Sequence, residues 1–61
     1  MIKIRMADGI TLEITEDISL EDFTKKFEFA LESFSTIMII NKEGVKRYIN
    51  PFQVLYYGDE V

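Results

Sequence analysis

The sequence contains no cysteine, no histidine and no tryptophan, and it has only one proline and three glycines. Without cysteine the chain cannot form a disulfide, and without cysteine or histidine a structural zinc site is not expected. The lack of histidine also excludes the Ser-His and Cys-His pairs and the imidazole general base of many enzymes. We therefore expect no metal, no cofactor and no enzymatic activity.

Glycine-rich motifs and long apolar runs are also missing. Gly9, Gly44 and Gly58 are isolated in turn contexts, which does not match a phosphate-binding loop. The first residues alternate apolar and basic side chains, unlike a signal peptide, and no run approaches the length of a membrane span. We expect a cytoplasmic protein with no membrane contact.

The chain length limits how much stability one copy can gain. At 61 residues the chain is near the lower limit for independent folding, and we treat residues 1–61 as a single domain. A domain of this size buries only about 60% of the surface that its unfolded chain exposes. Because neither a disulfide nor a metal can add stability, close packing or self-association has to supply it. This reasoning favours a homo-oligomer.

The N-terminal segment has the pattern of a β-hairpin with its loop at Ala7-Asp8-Gly9. Apolar residues alternate with polar ones on both sides of that loop, namely Ile2, Ile4 and Met6 before it and Ile10, Leu12 and Ile14 after it. A two-residue loop would set apolar residues against polar ones, so the alternation requires a three-residue loop with Gly9 left-handed. In that register Lys3 lies opposite Glu13.

Residues 19–33 carry the signals of one amphipathic helix. Ser19 is a favourable N-cap, Asp22 is a shorter-armed version of the capping-box acid, and we place the end of the helix near Ser33. The apolar stripe of this helix is expected to face the sheet and consists of Leu20, Phe23, Phe27, Ala30, Leu31 and Phe34.

Three short strands are expected after the helix. Residues 37–40 are apolar at every position, which is typical of a strand buried on both sides. A turn follows, then a strand over residues 45–49, an interruption at Asn50-Pro51 and a last strand over residues 54–57. The prediction is an α+β domain in the order ββαβββ, with a small twisted antiparallel sheet and one helix packed on one face.

Phe29 departs from the pattern of the helix. At about 100° per residue it lies roughly opposite the apolar stripe, among charged and polar residues. One interpretation is that it packs sideways against a loop or is simply exposed, as scattered surface apolar residues often are. The other interpretation is that Phe29 is a hot-spot residue for binding a partner or a second copy. A large aromatic side chain with only two side-chain torsions suits that role.

Met38 and Ile40 cannot share the face that Ile37 and Ile39 use. Either the strands curl into a partial barrel that covers both faces, or the second face of the sheet is a homo-oligomer interface. The small stability margin of a single copy favours the interface.

Tyr48, Tyr56 and Tyr57 occur together in the last two strands. At least one is expected to fill the core and keep its hydroxyl in water. The alternative is that the tyrosines stack on a base. With Lys46 and Arg47 on an adjacent segment, they would then form a small nucleic-acid or nucleotide platform.

Acidic residues dominate the stretch between the hairpin loop and the helix. The chain has seven basic and eleven acidic residues and a formal net charge of −4. Six carboxylates and no basic residue occur in the acidic run of Asp8, Glu13, Glu16, Asp17, Glu21 and Asp22. Such a run is usually a solvated face, and its spacing is not that of a calcium loop. Presentation of negative charge to a basic nucleic-acid-binding protein is the other option.

The segment GVKRYINPFQVLYY, residues 44–57, joined to the opening IKIRMADG, residues 2–9, resembles small proteins of phages and mobile elements of Gram-positive bacteria. Some compact acidic phage proteins bind and block host factors or sequester defence signals, so the resemblance implies a similar role. The closing strands are also similar to the terminal strands of LytTR-type DNA-binding domains. Those domains are longer and basic, and the net charge of −4 argues against direct DNA binding.

Taken together, these features predict a non-catalytic interaction module, an accessory or inhibitor protein of a phage or mobile element that binds a host protein and forms a homo-oligomer. The expected contact residues are Phe29, Met38, Ile40, Tyr48, Tyr56 and Tyr57. The alternative is an oligomer that sequesters a nucleotide-like small molecule between subunits. Its stacking and phosphate contacts would be Tyr48, Tyr56, Lys46 and Arg47.

Overall fold

Five strands, one α-helix and one short 3₁₀ helix make up the part of the chain that the structure describes, residues 1–15 and 17–59 of a computed structural model. The strands are β1 (Ile2–Met6), β2 (Thr11–Ile14), β3 (Ile37–Ile40), β4 (Lys46–Ile49) and β5 (Val54–Asp59). The helix α1 covers Leu20–Ser33, and the 3₁₀ helix covers Pro51–Gln53. This architecture confirms the predicted α+β class and the order ββαβββ.

The N-terminal hairpin forms in the predicted register. Ile4 pairs with Leu12 and Lys3 pairs with Glu13, with a distance of 3.8 Å between the Lys3 ammonium and the Glu13 carboxylate. Gly9 has a φ of 93°, a conformation that glycine adopts without a steric penalty. The three-residue loop is therefore the one that the alternation of the sequence requires.

Both ends of α1 follow from local sequence. The Ser19 hydroxyl accepts a hydrogen bond of 3.1 Å from the Asp22 N–H, as expected for an N-cap. The helix ends at Ser33, and the next residue, Phe34, is left-handed with a φ of 54°. No helix within the described residues is long and apolar enough to cross a membrane.

The expectation that Phe34 belongs to the buried stripe is wrong. Its side chain is 84% exposed. Because the residue lies beyond the last helical turn with a left-handed backbone, its side chain no longer follows the helical spacing that places Phe23 and Ala30 in the core.

The strands form two antiparallel sheets that meet at one corner. One sheet has the order β2-β1-β5 and the other pairs β3 with β4. They meet where Ile14 bridges Asn41 and the Thr15 N–H donates to the Ile40 carbonyl at 3.1 Å. The last strand, β5, pairs antiparallel with the first strand, β1. The register of this pair shifts between Arg5 and Met6.

The core lies between α1 and the inner faces of both sheets. Its buried residues are Ile2, Ile4, Ile14, Phe23, Ala30, Ile37, Ile39 and Ile49. Tyr57 packs against this cluster from β5, with ring centroids 5.0 Å from both Phe23 and Phe27. Its hydroxyl donates to the Thr24 hydroxyl at 3.1 Å, so the polar end of the ring is also satisfied.

Neighbouring tyrosines on β5 provide a matched test of this packing. We expect Tyr57→Ala to lower the free energy of unfolding by about 3 kcal/mol, because it empties a packed aromatic site. Tyr56→Ala removes an exposed side chain and should change the free energy of unfolding by less than about 0.5 kcal/mol. Urea unfolding followed by circular dichroism measures both, and equal effects would contradict the assignment of Tyr57 to the core.

Candidate functional site

The strand β3 has one buried face and one partly open face. Ile37 and Ile39 are buried against the core, whereas Met38 and Ile40 are only partly buried. The expectation that this apolar strand is enclosed on both sides is therefore correct for its inner face only. The helix α1 packs on the inner side, where its Phe23 and Ala30 are buried together with Ile37 and Ile39.

Exposed aromatic residues flank this open face of β3. Tyr48, which is 69% exposed, pairs with Met38 across the β3–β4 ladder, so both side chains lie on the same side of the sheet. Phe29, which is 68% exposed, lines a depression of about 220 Å³ together with Met38 between α1 and β3. We call Phe29, Met38, Ile40 and Tyr48 the outer face.

The outer face has basic residues beside its apolar ones. Lys26 lines the same depression as Phe29, and Lys46 pairs with Ile40 across the β3–β4 ladder. Among the described residues, neither lysine has an ion-pair partner within 4 Å, whereas Lys25 and Lys42 lie 3.9 Å and 3.8 Å from carboxylates. The outer face is thus apolar with two uncompensated positive charges.

The structure does not bring the three tyrosines together. Tyr57 points into the core, and Tyr56 lies on the opposite side of β5, paired with Arg5. Tyr48 is on the other sheet. Of the six predicted contact residues, the outer face unites four, whereas Tyr56 and Tyr57 lie elsewhere.

Lys46 and Arg47 are on opposite faces of β4, because adjacent strand residues alternate. Lys46 is on the outer face, whereas Arg47 pairs with Ile39 on the inner side and lines a separate cleft near the hairpin loop. Within one chain, therefore, the predicted nucleotide platform of Tyr48, Tyr56, Lys46 and Arg47 is divided among three surfaces.

The acidic run is distributed over several elements. Glu13 lies 3.8 Å from both Lys3 and Lys42, and the Asp8 carboxylate accepts the Ile10 N–H at 3.0 Å. Glu16 lies outside the described residues. Among those that are described, no group of three or more acidic side chains is arranged to hold a metal ion.

Sequence reasoning missed an exposed aromatic pair. Phe34, after the end of α1, stacks on Phe52 of the 3₁₀ helix with ring centroids 5.9 Å apart and an angle of 18° between the rings. Both rings are largely exposed. The available signal was a phenylalanine at the C-terminal end of the helix, where glycine is the usual residue.

The comparisons with known proteins add no assignment. No family model, no curated protein and no solved structure matches the chain.

The left-handed conformation of Phe34 is expected to lower the free energy of unfolding. In a Phe52→Ala background, where the stacking is already lost, we expect Phe34→Gly to raise the free energy of unfolding by about 1 kcal/mol, because glycine adopts a positive φ freely. In the wild-type background the gain should be smaller, since the substitution also removes the ring pair. Chemical denaturation of the wild type, the two single variants and the double variant measures both values, and an identical gain in the two backgrounds would show that the stacking contributes nothing.

Proposed function

We propose that the protein is a non-catalytic interaction module that self-associates through the outer face. The observation that carries this proposal is the convergence of Phe29, Met38, Ile40 and Tyr48 on one side of the molecule. Large aromatic side chains beside a flexible methionine are typical of protein-binding surfaces. An accessory or inhibitory role toward a host protein, which the sequence resemblance implies, would then belong to the assembled form.

A second copy is a suitable occupant because the outer face combines a projecting ring with a depression. Phe29 projects from the rim of the depression that it lines with Met38. Around a twofold axis, the same patch of each subunit contacts its equivalent, so each Phe29 can enter the depression of the other copy. A standard interface needs about 800 Å² from each partner, roughly a fifth of the 4275 Å² that one chain exposes.

The charges along α1 fit the same arrangement. Lys26 and Glu32 are exposed, lie three residues before and after Phe29, and have no ion-pair partner among the described residues. If the two helices cross antiparallel with the twofold axis at Phe29, Lys26 of each copy faces Glu32 of the other. Two equivalent Lys26–Glu32 ion pairs would then lie on either side of the contact between the Phe29 rings. These pairs would determine the relative orientation of the two copies.

Light scattering after size exclusion tests the interface. At high micromolar concentration, the wild type is expected at twice the 7.2 kDa mass of one chain. Phe29→Glu should weaken association by on the order of 2 kcal/mol, because it places a charge in the centre of the interface. A wild-type protein that stays monomeric, or an unchanged mass for Phe29→Glu, would contradict the proposal.

Charge reversal tests the orientation of the copies. Lys26→Glu and Glu32→Lys should each weaken the dimer, and the double variant should restore it, because the exchanged charges again meet as opposites. Lys25→Glu is the matched control, since it makes the same change of charge one residue away. Failure of the double variant to recover would exclude the antiparallel arrangement while leaving the outer face as the interface.

A further inference from the structure

A second concave site lies on another part of the molecule, between the β1–β2 hairpin loop and the turn that joins β3 to β4. This cleft has a volume of about 560 Å³, within the usual range for small-molecule sites. Its apolar lining comes from Met6, Ile10 and Leu12. Met6 and Leu12 pack against the core, and Ile10, which is 55% exposed, adds apolar surface beside them at the open end of the fold.

Asn41 is the buried polar residue that lines this cleft. The residue is only 7% exposed, and its Oδ1 accepts the backbone N–H groups of Glu43 and Val45, each at 3.0 Å. Because Oδ1 is used twice by the turn, the Nδ2 amide group must be directed elsewhere. It has no hydrogen-bond partner among the described residues, yet no fully buried side-chain nitrogen or oxygen is left unpaired there, so Nδ2 is not completely buried. Because Asn41 lines the cleft, Nδ2 is the side-chain group that it can offer to a ligand there.

Charges of both signs line the same cleft without neutralising one another. Arg47 contributes a guanidinium group, and Asp8 and Glu43 contribute carboxylates. In the described part of the chain, no ion pair within 4 Å joins any of these three side chains to another residue. The cleft therefore offers two sets of donors, Arg47 and Asn41, and two acceptors beside an apolar surface.

We propose that this cleft binds a small zwitterion with an apolar body, the chemistry of an aliphatic amino acid or a short apolar peptide. The ligand carboxylate is bound by the Arg47 guanidinium and the Asn41 amide. The ligand ammonium lies near Asp8 and Glu43, and its aliphatic side chains cover Met6, Ile10 and Leu12. A ligand with one charge would leave part of this charge pattern uncompensated.

Nuclear magnetic resonance titration with L-leucyl-L-leucine tests the proposal on the full chain. We expect amide shifts concentrated at Met6, Ile10, Leu12 and Asn41. The N-acetylated dipeptide, the dipeptide amide and glycylglycine each remove one feature of the ligand, namely the ammonium group, the carboxylate or the apolar body. Each should bind more weakly than the parent dipeptide. Absence of shifts at the cleft, or equal binding by the N-acetylated or amidated form, would overturn the proposal.

Variants of the cleft identify the groups that bind the dipeptide. Arg47→Gln should weaken binding by about fivefold, as expected for one exposed charge pair. Lys25→Gln is the matched control, because it removes the same charge on α1 at a residue that lines neither this cleft nor the depression of the outer face, and it should leave the affinity unchanged. Asp8→Asn keeps an oxygen for the Ile10 N–H while it removes the charge, and it should also weaken binding. Equal effects of Arg47→Gln and Lys25→Gln would overturn the assignment.

Discussion

The constraint on which this structure depends is that, within the described residues, one α-helix of 14 residues has to cover five strands. Phe23 is the main contact from the helix, since it is almost fully buried and meets Tyr57 edge to face. This packing joins α1 to β5, and the pairing of β5 with β1 closes the N-terminal sheet around the core. The buried residues of α1, Phe23 and Ala30, therefore face the inner side of the fold.

The open side of β3 is a direct consequence of that arrangement. A strand with four consecutive apolar residues cannot hide all of them behind one helix, because successive side chains point to opposite faces. Ile37 and Ile39 take the inner positions, and Met38 and Ile40 remain on the outer face. Phe29 and Tyr48 extend this exposed apolar surface, and this surface is the basis of the proposed protein contact.

The local structure could be predicted because each local sequence pattern was compatible with only one hairpin register or one helix start. The alternation around Gly9 fixed the hairpin register, and Ser19 fixed the start of the helix. Long-range pairing was different. The 3₁₀ helix after Asn50 turns the chain so that β5 returns to β1, and no local pattern specifies that partner. For the same reason the inward direction of Tyr57 rather than Tyr56 was not predictable.

The most direct test of the outer face is the solvent accessibility of its methionine methyl group. The three methionines can be labelled together with carbon-13, and a soluble paramagnetic probe reports how exposed each methyl group is. If the outer face is the interface, the Met38 methyl group becomes shielded as the protein concentration rises from micromolar to millimolar, while the Met1 methyl group stays accessible. A Met38 methyl group that is equally accessible at every concentration would contradict self-association through the outer face.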